Sequence, residues 1–75
     1  MNKLILISAK EALKKVKKLG YIEVRQVGSH IRLKHFEDKN RKAITIPMHN
    51  KDLGRGLLRK ILRDLDVSIE EFNEL

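Results

Sequence analysis

"YIEVRQVGSHIRLKH", Tyr21 to His35, decides how this 75-residue chain folds. Two runs with strand character flank Gly28-Ser29, a pair suited to a two-residue type II′ turn with glycine first. Pairing outward from Val27 opposite His30 sets Gln26 against Ile31, Arg25 against Arg32, Val24 against Leu33, Glu23 against Lys34 and Ile22 against His35. Side chains alternate across a strand. This register predicts a buried face of Ile22, Val24, Ile31 and Leu33, and an exposed face of Glu23, Arg25, His30, Arg32 and Lys34.

Upstream, Ser8-Ala9-Lys10-Glu11 reads as a capping box that opens a helix. Ala9, Ala12, Leu13, Val16 and Leu19 form its apolar stripe, lysines 10, 14, 15, 17 and 18 take the remaining surface, and Gly20 ends it. "LILI" at Leu4 to Ile7 is too short for a signal sequence or a membrane span. It either docks as core or begins the helix. Downstream, "FEDKNR" is a polar turn, and Lys42 to Ile46 is a third strand with Ile44 and Ile46 inward and Pro47 ending it. A loop with two glycines follows, then a second amphipathic helix on Leu57, Leu58, Ile61, Leu62 and Leu65, with Arg55, Arg59 and Arg63 stacked on another side. Ser68-Ile69-Glu70-Glu71 is a second capping box, opening a short acidic helix that Phe72 pins to the body. The order αβββα predicts an α+β domain spanning residues 1–75, a three-stranded antiparallel sheet with both main helices on one face. That is the architecture of a double-stranded-RNA-binding domain.

Composition narrows the function. Cysteine is absent, which removes disulfides and thiolate metal sites and fits a cytoplasmic location. The formal charge is +7, and it is unevenly spread: residues 1–63 hold 17 basic and 5 acidic side chains, residues 64–75 none and 5. Such a polycationic body points to an anionic partner. Three aromatics are too few for a row of base-stacking platforms, and no cationic helix carries the broad aromatic face that membrane binding needs. The acidic tail reads most simply as a solvated terminal helix, with docking on the basic body or contact with a partner as alternatives.

His30, His35 and His49 do not have metal-ligand spacing: the first two point to opposite faces of one strand and the third lies in a loop. No metal or other cofactor is expected. His30 is either an exposed strand histidine that tolerates solvent or a general base or acid. The second reading gains from Arg25 diagonally across and Arg32 two residues along. An imidazole among guanidiniums suits RNA scission, in which a base takes the ribose 2′-hydroxyl proton and cations stabilise the charge on the attacked phosphate. The lysines of the first helix and Arg55, Arg59 and Arg63 read equally well as solvated faces. Lys51, Arg55 and the free N–H groups opening the second helix are candidates for a phosphate contact.

Taken together, "SAKEALKKVKKLGY", "VRQVGSHIRLKH", "ITIPMHN" and "GRGLLRKILRDLDVSIEEF" resemble the HicA family of bacterial toxins, from Ser8 to Phe72. The most specific pieces are Gly28-Ser29-His30 at a strand start, the later Ile44-Thr45-Ile46-Pro47 with His49, and "ILR" followed by Ser68, Glu70, Glu71 and Phe72. The resemblance implies a fold like the double-stranded-RNA-binding domain and a ribosome-independent, metal-independent mRNA interferase with His30 as its catalytic histidine. It also implies a HicB-type antitoxin that covers the active face. Arg25, Ser29, Arg32, Lys34, Lys51 and Arg55 are then the candidates for RNA contact. The sequence departs from the family pattern at Leu33, where an aromatic is common, at Leu57, where threonine is common, and at Asp66, where glycine often ends the helix. The rival reading is a non-catalytic RNA-binding or complex-forming module of the same fold.

Overall fold

The computed structural model describes residues 3–49 and 52–75. Its elements are α1 (Ala9–Lys18), β1 (Tyr21–Val27), β2 (His30–His35), β3 (Ile44–Pro47), α2 (Arg55–Leu65) and α3 (Ile69–Asn73). The fold is α+β in the expected αβββα order, its antiparallel sheet running β1-β2-β3 with α3 appended. Ala9, Ala12 and Val16 of α1 and Leu58, Ile61, Leu62 and Leu65 of α2 are buried in one cluster with Ile31, Leu33, Ile44 and Ile46. Both main helices therefore cover one face of the sheet and leave the other open.

Local chemistry sets the helix ends. The Ser8 hydroxyl accepts from the Glu11 N–H at 3.1 Å, which is half of the expected capping box. The Ser8 backbone pairs instead with Asp52 as an isolated antiparallel bridge, and the Leu53 N–H donates to the Ile7 carbonyl at 2.9 Å. These bonds tie the approach to α1 to the approach to α2. Leu4 is buried and Ile7 packs partly buried against the core while Ile5 and Leu6 are exposed, so the opening apolar run docks through two side chains and does not begin α1. Asp66 closes α2 in the left-handed region at φ +58°, a conformation that aspartate tolerates better than most side chains. Leu33 is fully buried and Leu57 packs partly buried against the core, so two of the departures from the family pattern are packing choices.

Gly28 takes φ +59° and Ser29 does not share a positive φ, the sign pattern of a type II′ turn. The first three pairs follow the sequence register: Val27 with His30, Gln26 with Ile31, Arg25 with Arg32. Beyond them the structure corrects the sequence reading. Val24 is an extra residue in a β-bulge, after which Glu23 pairs with Leu33, Ile22 with Lys34 and Tyr21 with His35. A one-residue slip turns every side chain over. Tyr21 is therefore buried, Ile22 and Val24 are 51% and 46% exposed, and Glu23 leaves the open face to pair with Lys17 of α1. The cause is the size of Tyr21. Its ring fills the core beneath α1 while its hydroxyl donates to the Lys42 carbonyl at 3.2 Å, a solution that an isoleucine cannot match. Burial pushes the Tyr21 phenol above its ordinary pKa, against the pull of the Arg41 guanidinium.

The acidic tail is pinned to the body through Phe72, as the sequence predicts, while its carboxylates stay in solvent. Ser68 and Glu71 complete a reciprocal capping box, and Phe72 is buried in the core. The Lys15 ammonium donates to the carbonyls of Phe72, Asn73 and Leu75 at 3.1, 3.4 and 3.2 Å, capping the end of α3. Glu70, Glu71 and Glu74 remain exposed and make no ion pair among the described residues.

The bulged register makes a direct forecast for stability in urea. Tyr21→Ala should cost about 3–5 kcal/mol, as loss of a buried aromatic does. Ile22→Ala and Val24→Ala should each stay within about 1 kcal/mol, as surface changes do. The regular register demands the reverse. A second forecast concerns acid. The hydrogen bond from Lys60 at 2.9 Å, aided by Lys42 and Arg63 and opposed by burial, holds the Asp64 carboxyl below its ordinary pKa. Because the folded value is lowered, the ionised carboxylate contributes stability at neutral pH that is lost as pH falls through that lowered value. The stability gap between wild type and Asp64→Asn should hold steady above pH of about 5 and shrink below about 4, as equilibrium melts across pH would show.

Candidate functional site

On the central strand β2, His30, Arg32 and Lys34 alternate outward while Ile31 and Leu33 point into the core. β2 is flanked on both sides, so its outward side chains stand on the best-anchored backbone in the sheet. His30 lies between Val27 of β1 and Pro47 of β3, and Arg32 between Arg25 and Thr45. The turn that delivers His30 is itself held: the Met48 N–H donates to the Ser29 carbonyl at 2.6 Å, and the Gln26 side-chain amide donates to the Gly28 carbonyl at 3.2 Å.

Arg25, Val27, His30, Arg32 and Thr45 line one shallow depression of about 330 Å³. No carboxylate belongs to this lining. Arg25 and Arg32 stand directly opposite one another, and neither joins an ion pair among the described residues. Like charges facing across strands are destabilising. Two guanidiniums opposed without an acid therefore form a place where an anion relieves repulsion, and their planar donor forks suit phosphate oxygens. The His30 ring is exposed and makes no hydrogen bond among the described residues, so both nitrogens are open to a ligand.

The remaining sequence candidates fall elsewhere. Ser29 sits in the turn before His30 and contributes its carbonyl to the anchor on Met48. Lys34 shares the open face but belongs to a neighbouring depression with Ile22, Val24 and Phe36. Arg55 is the first residue of α2, in the layer behind the sheet, and does not line the His30 depression. Gly54 before it supplies no side-chain cap, which leaves the first N–H groups of α2 without that partner. Lys51 lies outside the described residues. His35 turns away as expected: its Nδ1 accepts from the Glu37 and Asp38 N–H groups at 3.2 and 2.9 Å, and its ring meets Tyr21 edge-on. His49 is exposed in the loop after β3 and is not part of the lining.

Sequence reasoning passed over Thr45. With Ile44 and Ile46 buried, alternation places Thr45 outward, and its pairing with Arg32 brings its hydroxyl to the site. The signal was present in the period of two. What the arrangement offers chemically is a proton acceptor, a pair of anion-binding guanidiniums and a hydroxyl on one rigid surface.

Comparison with known proteins bears on the whole chain. No curated protein matches it. A family model described as the HicA toxin of bacterial toxin-antitoxin matches residues 9–67, from the first residue of α1 to the residue that follows the left-handed end of α2. That span takes in the entire sheet and both layers of the core, so the chain belongs to the HicA toxin family and is the toxin of a toxin–antitoxin system.

Proposed function

We propose that this toxin is an endoribonuclease that cuts mRNA without a metal, with His30 as general base. The observation that supports it is the setting of His30: an imidazole without a hydrogen bond among the described residues, on the central strand, beside two opposed arginines and with no carboxylate in the lining. In the proposed reaction His30 takes the proton of a ribose 2′-hydroxyl. The 2′-oxygen bonds to the adjacent phosphorus, and the bond from phosphorus to the 5′-oxygen breaks. Arg25 and Arg32 hold the phosphate and balance the extra negative charge of the transition state. The products are a 2′,3′-cyclic phosphate and a free 5′-hydroxyl, whose oxygen takes its proton from water. With one proton-transfer group in the lining, turnover is expected to be slow.

Electrostatics supports RNA as the substrate: 17 basic side chains lie before Asp64 in a chain with a net charge of +7. The partner within the toxin–antitoxin system is expected to be a HicB-type protein that covers the open face of the sheet. No described helix is long and apolar enough to cross a membrane. The cytoplasm, where mRNA and the antitoxin are made, is the proposed location.

The test uses purified protein and an mRNA substrate. Wild type should leave cyclic-phosphate ends, His30→Ala should lose about 10²-fold or more in rate, and Arg25→Ala or Arg32→Ala about 10²-fold, all with unchanged far-UV circular dichroism. EDTA should leave the wild-type rate unaltered. If folded His30→Ala cuts as fast as wild type, His30 is not the base. If neither protein cuts while both bind RNA with steep salt dependence, the chain acts as a binding module.

A further inference from the structure

Phe36 is the most exposed large apolar side chain among the described residues, 63% accessible, yet it is held in place. Its N–H donates to the Gly20 carbonyl at 2.9 Å, extending the hairpin one residue past β2. One side of its ring is supported from within the fold. A Cβ on Gly20 would lie 3.2 Å from two of the ring carbons, and the His35 ring sits 5.2 Å away, centre to centre, tilted by 31°. His35 is itself fixed by the two N–H groups it accepts and by its edge contact with Tyr21. The Phe36 ring is thus a braced aromatic surface that contributes nothing to the core.

What surrounds it is chemically mixed. Ile22 and Val24, turned outward by the bulge, join Phe36, Lys34, Lys39, Arg41 and one carboxylate, Asp38, around a depression of about 400 Å³ on the same face as His30. Arg41 is engaged by Asp38 at 3.5 Å and by the Leu65 carbonyl at 3.4 Å. Lys34 and Lys39 have no carboxylate partner among the described residues. Apolar ground beside a braced ring, edged by two unpaired ammonium groups, is complementary to a nucleotide: a flat base for the ring, a phosphate for the lysines. Volume agrees with such an occupant. Lys34 lies four residues beyond His30 on one straight strand, about 13 Å along it. A single RNA strand laid along β2 therefore meets both depressions in succession.

The geometry points to a nucleotide subsite in which one unpaired base stacks on Phe36 while Lys34 and Lys39 hold its phosphate, a short distance along the strand from the phosphate bound at His30. This rests on the reading of RNA as substrate and extends it: the substrate is single-stranded across the site, because a base must leave its helix to lie on the ring.

Short single-stranded RNAs carrying 2-aminopurine at successive positions test the subsite on the His30→Ala protein, with binding followed by fluorescence. Stacking on Phe36 should change the emission at one position only. Phe36→Ala and Phe36→Leu should both abolish that change and weaken binding about tenfold, and leucine matters because it keeps the apolar bulk without the π-face. Lys34→Ala and Lys39→Ala should each lower the salt slope of binding by about one charge. Binding within twofold of the parent in both Phe36 variants, with emission unaltered, overturns the subsite even if wild-type protein cuts RNA. Tight binding of the antitoxin lost in Phe36→Leu while RNA binding is kept also overturns it and makes the face a protein-docking surface. A position-specific signal that depends on Phe36, seen even if wild-type protein proves unable to cut, upholds the subsite and removes only the catalytic reading.

Discussion

Burial of the Tyr21 ring, with its hydroxyl on the Lys42 carbonyl, fixes the phase of the first half of β1. The Gly28 turn fixes the phase of the second half, through the pairs that run from Val27 and His30 to Arg25 and Arg32. These two anchors are out of step by one residue. A strand cannot satisfy both without an insertion, and Val24 is that insertion. The open face follows from the compromise. Arg25 stays outward opposite Arg32, while Ile22 and Val24 join it there and Glu23 swings back to Lys17 on α1. A surface that regular alternation would have made mostly charged becomes part cationic and part apolar.

How much of this the sequence disclosed depends on whether the signal was local. α1, α2 and α3 were legible because caps and apolar stripes lie within a few residues of the bonds they predict, as Ser8 with Glu11 and Ser68 with Glu71 show. β2 and β3 were legible because each has a single alternation, and the core needs Ile31, Leu33, Ile44 and Ile46 on one side. β1 offers two alternations, and the more apolar one, Ile22 with Val24 rather than Tyr21 with Glu23, is the one that the structure turns outward. The choice between them rests on how the ring packs in the core and on a carbonyl at Lys42, 21 residues away in sequence. Distance in sequence also hid what Lys15 does for the tail. Nothing local to Phe72 announces that Lys15, 57 residues earlier, will reach its carbonyl. At the site, His30, Arg25 and Arg32 were found from alternation near the turn, whereas Thr45 required the β2–β3 register and the fate of Arg55 required the packing of α2.

Charge is distributed as though two separate constraints acted on it. Where the fold needs electrostatic help, pairs are made: Asp64 with Lys60 and Lys42, Asp38 with Arg41, Glu23 with Lys17. Where the open face carries Arg25, Arg32 and Lys34, no such pairs are made among the described residues. Removing either opposed arginine would relieve repulsion within the free protein. Opposed without an acid, they carry a repulsion that a bound anion would lift, which is the reading proposed for this face. The acidic tail does not serve as that anion. It docks at α1 through Phe72 and the Lys15 ammonium, leaving its carboxylates to solvent.

A chain of 75 residues can support one small core. Both helices are needed to cover one side of the sheet, so their inner faces are committed to packing, and the covered side of every strand must be apolar. Polar chemistry is then left with the open side, where only β2 has a neighbour on each edge to hold its backbone still. Placing the imidazole at the first residue of that strand adds a second restraint, because the glycine turn before it and the Met48 bond to Ser29 fix where the strand begins. Position on the strand thus fixes the backbone from which the His30 side chain projects. The ring makes no hydrogen bond among the described residues, which keeps both nitrogens available. An open face built this way also has no walls, so the rest of a long ligand must be met by surface features strung along the same strand. The outward row from His30 through Arg32 and Lys34 to Phe36 supplies them at the two-residue spacing that a strand imposes.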